Sequence, residues 1–461
     1  MLPNRLHFSI SERKLYLRLL DVIVMTFGMF CLGHFYEFEY FNFENPNVYM
    51  WLVVLFLYYY FFGEIFELFD LKIANNRYLT LKSLIITILF TTVFYVFTPR
   101  ISPILPQNRL QIVYFLLTLF ISVAINRFVY IHFIFSPRFL KNILLLGDTK
   151  SVQLLLNKVA HNQSNHFVGY VSNVALTEYP HIHFSTIKNT NIESLVTRLG
   201  VNEILVSPTV NDYDSKDINV QLIELFEKGM SIRSVDAFLE EETCKISENQ
   251  LISNFYNYFS FSRSHENNLY LAFGRILDIV FSIVGLILLV LLIPFILLLN
   301  VFGNRGKLFY TQQRVGRNGK QFKIIKFRSM VSNAEKSGAE WSKKGDTRIT
   351  PFGRMLRKTR MDEVPQFVNV LKGDMSLIGP RPERPEFVKK LESELPYYTL
   401  RHVIKPGLTG WAQVMHPYAS TVKDQHEKLL FDLYYIKERD VLMDLKIVIK
   451  TISTVLFCRG T

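Results

Sequence analysis

The sequence predicts a multi-domain membrane protein with a four-helix transmembrane bundle, a small α/β domain, a membrane-inserted helix and a mainly helical (α+β) C-terminal domain. Three observations lead to this prediction. Long apolar runs rich in phenylalanine and tyrosine fill residues 1–140. Residues 141–265 and 303–461 have the mixed polarity of soluble domains. A fifth apolar run lies between those two parts, and a chain of 461 residues exceeds the usual size of one domain.

Charge and cysteine content narrow the classes of partner. The formal net charge of +12 fits nucleic acid, anionic lipid or phosphorylated substrates as partners. The apolar runs favour the last two, and aromatic side chains are not spaced for base stacking along the basic stretches, so we expect no nucleic-acid partner. Cys31, Cys244 and Cys458 lie far apart, which argues against a disulfide framework or a cysteine metal site.

Residues 1–140 are predicted to form four transmembrane helices. Hydropathy selects four runs, each near the ~20 apolar residues that a bilayer-crossing helix needs: 17–36, 48–69, 79–97 and 110–135. Lysine and arginine concentrate before the first run, between the second and third, and after the fourth. Because such residues stay on the cytoplasmic side, both ends of the bundle are predicted to face the cytoplasm.

An α/β domain is predicted over residues 141–265. The strand candidates are short apolar runs separated by helical lengths: 142–146, 168–171 and 203–206. This alternation predicts a doubly wound, Rossmann-like sheet. A dinucleotide site would need Gly-x-Gly-x-x-Gly after the first strand, where only Gly147 is present. The sequence therefore favours a degenerate domain with a regulatory or assembly role over one with a bound dinucleotide.

The fifth apolar run, residues 279–301, is predicted to be a re-entrant helix-break-helix within residues 266–302. The run is long enough to cross the bilayer, but crossing would place the basic stretch 305–328 outside the cell. Pro294 lies inside the run, where it removes a backbone donor and favours a kink. A kinked spanning helix is the alternative, since proline is tolerated in spanning helices.

The C-terminal domain, residues 303–461, holds four clusters of charged residues and turn-formers. They are Lys326-Phe-Arg-Ser-Met330, Arg360-Met-Asp-Glu-Val-Pro-Gln366, Ser376-Leu-Ile-Gly-Pro-Arg-Pro382 and Lys405-Pro-Gly-Leu-Thr-Gly-Trp-Ala-Gln413. Arginine and lysine neutralise phosphate oxygens, and glycine and proline fix loops whose backbone N–H groups approach anions. The composition of these clusters suits phosphate chemistry.

Asp362 and Glu363 are adjacent carboxylates beside Arg357, Lys358 and Arg360. Nearby positive charge favours the carboxylate form, so both are expected to be ionised. An ionised pair could hold Mg²⁺ while one oxygen attacks phosphorus. The dipeptide alone fits better with an ordinary surface pair bound to arginine, so the assignment depends on the other clusters.

The four clusters, in this order, resemble those of the bacterial polyprenyl glycosylphosphotransferases. These are large monotopic phosphoglycosyl transferases that initiate exopolysaccharide, capsule and O-antigen repeat units. The resemblance covers nearly the whole chain and is strongest over residues 310–435. It implies transfer of a sugar 1-phosphate from a UDP-sugar to undecaprenyl phosphate, with undecaprenyl diphosphate sugar and UMP as products, at the bacterial inner membrane with the soluble domains in the cytoplasm.

The resemblance also assigns residues. It implies that Asp362 attacks the β-phosphate and carries a covalent phosphosugar, while Glu363 helps to position Mg²⁺ and the nucleophile. Lys326, Arg328 and Arg381 match family positions that are expected to bind phosphates. Apart from the resemblance, Arg360, beside the carboxylate pair, and Gln413, in the loop after Trp411, are also candidates to bind the substrate. Pro294 matches the residue that breaks the re-entrant helix, and a homodimer through the middle domain is the habit of the family.

Several readings stay open. Where many relatives continue with Asn-Gly, this chain has Val414-Met-His-Pro-Tyr418, so glucose, galactose or an N-acetylated sugar all remain as donors. Residues 442–457 have amphipathic spacing, which fits either an interfacial or an ordinary packed helix.

A membrane-anchored binding or sensor protein is the alternative to the transferase function. A processive glycosyltransferase is disfavoured because a Gln-x-x-Arg-Trp-type segment does not occur.

Overall fold

The computed structural model describes residues 10–36, 38–69, 77–129, 141–159, 165–187, 190–207, 215–247, 268–303, 306–331, 334, 346–416 and 421–456. The chain divides into two compact units, Met1–Phe238 and Leu239–Thr461. The predicted boundary at residue 265 lies outside the described residues and stays a prediction.

Four long helices begin the first unit: α1 (Ile10–Phe35), α2 (Val48–Ile65), α3 (Arg77–Val96) and α4 (Leu110–Val129). They coincide with the four predicted spans, and each is long and apolar enough to cross a membrane. The second span was predicted to reach residue 69, but α2 ends at Ile65 because the chain turns at Glu67, which has a φ of 59°. Residues 130–135 of the fourth prediction lie outside the described residues.

The bundle buries one ion pair. The carboxylate of Asp21 in α1 is fully buried and lies 2.7 Å from Nη2 of Arg127 in α4. Tyr59 and Asn126 donate to the same carboxylate, each at 2.6 Å. An unpaired charge is very costly inside an apolar bundle, so these bonds fix the register of α1, α2 and α4.

The α/β domain is built on a parallel five-stranded sheet of order β3-β2-β1-β4-β5. Its strands are β1 (Lys141–Leu146), β2 (Asn165–Ser172), β3 (His183–Thr186), β4 (Glu203–Val206) and β5 (Ser231–Ser234). Its helices are α5 (Thr149–Val159), α6 (Ile192–Leu199), α7 (Ser215–Glu227) and α8 (Val235–Thr243). The sequence missed β3 and β5 because these short strands are polar and lie at the two edges of the sheet.

The turn after β1 supports the prediction of a degenerate domain. A dinucleotide fold places the pyrophosphate at the N-terminus of the helix that follows this turn. Here the carboxylate of Asp148 accepts a hydrogen bond from the backbone N–H of Ser151 at that helix end. A Cβ added at Gly147 would also lie 2.8 Å from Cβ of Ser207. The helix end is thus capped by an acidic side chain, and the absence of a bound dinucleotide stays a prediction.

The second unit begins within α8 at Leu239, and after residues 239–247 its described part continues with the long helix α9 (Asn268–Gly303) and a mainly helical fold with two small sheets. Its strands are β6 (Phe309–Val315), β7 (Gln321–Phe327), β8 (Ser376–Ile378) and β9 (Gly407–Thr409). Its remaining helices are α10 (Pro351–Lys358), α11 (Phe367–Lys372), α12 (Pro385–Glu394), α13 (Trp411–Met415), α14 (Val422–Glu438) and α15 (Val441–Leu456). β6 and β7 form an antiparallel hairpin, whereas β8 and β9 pair in parallel.

The predicted break at Pro294 does not interrupt the helix, since residues 268–303 form one helix with the proline inside it. Proline removes only its own backbone donor, and the helical turns on either side continue. The helix can therefore bend at Pro294 without ending there. Leu289 and Ile296, on either side of the proline, pack with Phe327 and Leu356. Entry and exit through the same leaflet stays a prediction.

Candidate active site

Asp362 and Glu363 lie on a 3-10 turn, Met361–Gln366, which follows α10. Arg360 precedes this turn in the left-handed conformation, with φ of 57° and ψ of 12°, and so redirects the chain at the end of the helix. The residues of the pair are only 7% and 6% exposed. An ordinary surface pair, which the dipeptide alone would suggest, is therefore ruled out.

Glu363 is held by three cations. Nζ of Lys326 and Nη2 of Arg381 lie 3.0 Å and 2.7 Å from Oε1, and Nη1 of Arg360 lies 3.5 Å from Oε2. Burial acts to raise the pKa of Glu363, but these cations outweigh it and hold the pKa well below its usual range. Glu363 therefore stays ionised and organises the cations around it.

Asp362 has a different environment. Its Oδ1 is buried and has no hydrogen-bond partner among the described residues. Burial, followed by the charge of Glu363, raises the pKa of Asp362 to about 6, although Lys326, Arg357 and Arg381 oppose the shift. The expectation that nearby positive charge governs both carboxylates holds for Glu363, whereas desolvation governs Asp362. At neutral pH Asp362 still offers an ionised oxygen that is not engaged, as a nucleophile requires.

Lys326 reaches Glu363 because its strand is clamped to α11. On β7, the backbone N–H of Ile325 donates to Oδ1 of Asn369 at 3.1 Å, and Nδ2 of Asn369 donates to the carbonyl of Lys323 at 2.8 Å. Asn369 is 1% exposed. Its amide fixes the strand on both sides of Lys326, so it is a positioning residue.

Arg381 is positioned by a close approach of two loops. The N–H of Gly407 donates to the carbonyl of Pro380 at 2.9 Å, and a Cβ at Gly407 would lie 2.1 Å from the backbone nitrogen of Gly379. Only glycine permits this spacing. Nη1 of Arg381 donates to Oε1 of Gln413 at 3.0 Å, while Nη2 contacts Glu363. The second, third and fourth clusters of the sequence therefore meet at one guanidinium.

A buried ion-pair network lies behind Arg381. Arg401 donates to the carbonyl of Arg381 at 3.0 Å and pairs with Asp432 at 2.8 Å. Glu383 lies 3.6 Å from Nζ of Lys428. Sequence reasoning missed these pairs because the partners lie far apart in the chain. The signal that could have found them is the i, i+4 spacing of Lys428 and Asp432 on the buried face of α14.

The two remaining basic residues near the pair differ in their placement. Nε of Arg357 donates to Oγ of Ser329 at 2.9 Å, and the charge of Arg357 acts on Asp362. The guanidinium of Arg328 lies against Gly306, where an added Cβ would be 2.5 Å from Nη1. Among the described residues the ion pairs of Glu363 do not include Arg328, and the role of Arg328 as a phosphate ligand stays a prediction.

Two amide nitrogens are candidates to contact a bound molecule. Nε2 of Gln366 and Nε2 of Gln413 are buried and have no hydrogen-bond partner within the described part of the chain. Trp411 is 4% exposed and belongs to the hydrophobic core of the catalytic unit. In the described ranges no group of three or more His, Cys, Asp or Glu side chains could hold a metal ion.

Comparison with known proteins agrees with this geometry. Residues 269–458 match the model of the family described as bacterial sugar transferase. The matched region begins at α9 and ends at α15, and it contains all the residues of the candidate site described above. The long apolar helix is therefore part of what defines the family.

Three relatives illustrate the similarity. An Aeromonas hydrophila UDP-N-acetylgalactosamine-undecaprenyl-phosphate N-acetylgalactosaminephosphotransferase is 44% identical over 200 residues, which are 42% of this chain and 47% of that protein. A Bacillus subtilis (strain 168) putative undecaprenyl-phosphate N-acetylgalactosaminyl 1-phosphate transferase is 49% identical over 142 residues, 31% of this chain and 79% of that protein. An Escherichia coli (strain K12) UDP-glucose:undecaprenyl-phosphate glucose-1-phosphate transferase is 37% identical over 177 residues, 38% of each.

The match thus spans about half of the Aeromonas relative and most of the shorter Bacillus one. The resemblance inferred from the four clusters is confirmed by these similarities. The chain belongs to the bacterial sugar transferase family.

Proposed function

We propose that this protein transfers a sugar 1-phosphate from a UDP-sugar to undecaprenyl phosphate, giving undecaprenyl diphosphate sugar and UMP. This reaction would initiate an exopolysaccharide, capsule or O-antigen repeat unit. The observation that carries the proposal is the unengaged, buried oxygen of Asp362 beside a carboxylate that three cations hold ionised. The names of the relatives support undecaprenyl phosphate as acceptor.

The chemistry has two displacements at one phosphorus. Oδ1 of Asp362 attacks the β-phosphorus of the donor; an oxygen–phosphorus bond forms, and UMP leaves with the electron pair of the broken P–O bond. The sugar 1-phosphate is then held as a mixed anhydride on Asp362. An oxygen of undecaprenyl phosphate attacks the same phosphorus and releases the carboxylate. Arg381, Lys326 and Arg360 would stabilise the charge on the phosphoryl oxygens.

Magnesium is the proposed cofactor, and the site fits it in part. Mg²⁺ is commonly held by one or two carboxylates together with substrate phosphates. Asp362 would coordinate the ion through the carboxylate oxygen that does not attack, whereas both oxygens of Glu363 are engaged by cations. Glu363 would therefore help to hold the ion mainly by fixing Asp362. When bound, Mg²⁺ would supply charge neutralisation on the diphosphate.

Helix α9 is proposed to enter and leave the cytoplasmic leaflet of the inner membrane. As a straight helix its 36 residues would measure about 54 Å, against ~30 Å of hydrocarbon. Near its start, Arg275 donates to the carbonyls of Val370 and Leu371. At its end, a Cβ at Gly303 would lie 2.6 Å from Phe352. Because both ends contact the same unit, we expect both to lie on one side of the membrane.

Cysteine labelling tests this topology. Cysteines introduced at Leu269 and Lys307, in a background without the native cysteines, are expected to react with an impermeant reagent from the same membrane face. Labelling from opposite faces would show that α9 spans, and the proposal of a re-entrant helix would then be abandoned.

Helix α15 is proposed to lie on the membrane surface. Met443 and Ile447 are buried in the catalytic core, whereas Leu442 and Leu445 are 66% and 51% exposed on other faces of the helix. An interfacial helix and a packed helix are therefore compatible descriptions of this segment, since one face packs in the core while another apolar face is exposed. Exposed lysines beside that face would contact anionic headgroups.

The donor sugar is the part of the proposal that the site constrains least. The two relatives with the higher identities are named for N-acetylgalactosamine, and the third for glucose. UDP-N-acetylgalactosamine is therefore the first donor to test, ahead of UDP-glucose and UDP-galactose.

The decisive assay is UMP release by purified protein with Mg²⁺, undecaprenyl phosphate and a panel of UDP-sugars. Lipid-dependent UMP release by the wild type, abolished in Asp362→Asn and retained in the matched control Asp217→Asn, is the expected result. Asp217 is an exposed carboxylate in the other unit. If the wild-type protein released UMP from none of the UDP-sugars, the proposed reaction would be refuted, and a membrane-anchored binding protein would become the favoured interpretation.

A further inference from the structure

Residues 240–247, here called the strap, comprise the last turn of α8 and the residues after it, and they belong to the second unit, Leu239–Thr461. Ile246 is 1% exposed and belongs to the hydrophobic core of that unit. Its backbone N–H donates to the carbonyl of Leu430 in α14 at 3.3 Å. At the other end of the strap, Glu240 pairs with Lys437 at 3.0 Å. The strap is therefore anchored at both ends on α14.

Between these anchors the strap holds α13. Nε1 of Trp411, the first residue of α13, donates to the carbonyl of Cys244 at 2.8 Å. A buried indole N–H needs such a partner, and here the strap supplies it. Cys244 has a φ of 51°, a left-handed conformation that non-glycine residues adopt at a cost. The backbone of the strap is thus bent at the residue whose carbonyl receives the indole.

The C-terminal end of α13 is also held by α14, next to the strap. Nζ of Lys245 pairs with Glu427 at 2.9 Å and lies 5.9 Å from the ring centroid of Phe431. The ring of His416, which follows α13, stacks on Phe431 with centroids 6.4 Å apart. A helix of only five residues has little stability of its own, so these contacts determine where it lies.

The position of α13 matters because it carries Gln413. Oε1 of Gln413 accepts a hydrogen bond from Arg381, which in turn contacts Glu363. A shift of α13 would move Gln413 away from the guanidinium and would change the cation that faces the donor. The chain of contacts therefore runs from Cys244 through Trp411 and Gln413 to Arg381.

We propose that the strap is a positioning element for donor binding, which places Gln413 against Arg381 by holding the indole of Trp411. This inference rests on the proposed function of Arg381 and Gln413 as donor ligands. It links the segment that leaves the α/β domain to the affinity for the nucleotide sugar. Asp362 itself makes none of the contacts in this chain, so we expect the effect to fall on donor affinity.

The test is a set of variants in the full chain, assayed for UMP release with UDP-N-acetylgalactosamine and UDP-glucose. Trp411→Phe removes the indole donor but keeps an aromatic ring. Cys244→Val disfavours the left-handed backbone, whereas Cys244→Gly retains it. The matched packing control is Leu391→Ala, fully buried in the same core but on α12.

We expect Trp411→Phe and Cys244→Val to raise KM for the donor about fivefold, the loss typical of one hydrogen bond, with kcat nearly unchanged. Cys244→Gly and Leu391→Ala are expected to keep the KM of the wild type, although Leu391→Ala lowers thermal stability. Unchanged KM in the first two variants, or an equal rise in Leu391→Ala, would overturn the strap proposal. Absence of turnover in the wild type would instead refute the proposed function.

Discussion

Replacing Asp362 by asparagine is expected to abolish transfer and, at the same time, to stabilise the catalytic unit. Burial and the charge of Glu363 raise the pKa of Asp362 from 3.8 to about 6. Because each pKa unit corresponds to about 1.4 kcal/mol, the ionised carboxylate costs the folded state about 3 kcal/mol at pH 7. Asparagine has nearly the same shape and no charge, so it avoids that cost.

The stabilisation by Asp362→Asn should depend on pH in a defined direction. Below pH 3.8 the carboxyl group is protonated in both the folded and the unfolded chain, and the two proteins should differ little. Between pH 3.8 and about 6 the folded state binds a proton that the unfolded state has released, so the wild type loses stability as pH rises. Above pH 6 the difference should be complete.

Thermal unfolding in detergent at pH 4.5 and pH 7.5, followed by tryptophan fluorescence, measures this difference. The variant is expected to unfold several degrees above the wild type at pH 7.5, and the gap should shrink at pH 4.5. Asp217→Asn controls for the loss of an exposed charge. A variant no more stable than the wild type at pH 7.5, or a gap independent of pH, would refute the reasoning that Asp362 is desolvated.

Three further outcomes follow from the site. The rate constant kcat/KM should fall tenfold per pH unit below about pH 6 as Asp362 is protonated, and a profile flat to pH 5 would contradict the pKa. Arg381→Lys keeps the charge but not the two-pronged contact, so we expect UMP release to drop at least about tenfold, more than in Arg328→Lys. Gly407→Ala places a Cβ 2.1 Å from a backbone nitrogen across the β8–β9 pair and should lower both Tm and activity, whereas Gly274→Ala, open in the structure, should change neither.

Local and compositional features of the sequence were enough to locate much of this molecule. The spans could be predicted because bilayer thickness sets a minimum length for an apolar helix. The carboxylate pair and Arg381 could be predicted because each lies in a dense cluster of charge and turn-formers. The sequence alone does not show that these residues meet in one buried site. They are brought together by contacts between distant segments, such as the pairing of β8 with β9, and only the family resemblance predicted that they belong to one site.

The features that sequence reasoning missed depend on burial or on distant partners. The local sequence does not predict that the pKa of Asp362 is raised while the pKa of Glu363 is lowered, because this difference depends on which carboxylate oxygens the cations contact in the folded chain. Arg401 and Asp432 pair across widely separated segments. The assignment of Arg328 to the site by its motif stays a prediction, with its guanidinium beside Gly306. The strap was taken as part of the α/β domain because it has no pattern of its own.

The packing of α9 determines which fragments of this enzyme can fold. Phe327 and Leu356 complete their core with side chains from the membrane helix, and Phe367 fills the space left by Gly285. A catalytic fragment that begins after Gly303 would expose this apolar surface beside the strand that carries Lys326. Deleting α9 to obtain a soluble domain is therefore expected to damage the site itself, because this helix is part of the hydrophobic core of the catalytic unit.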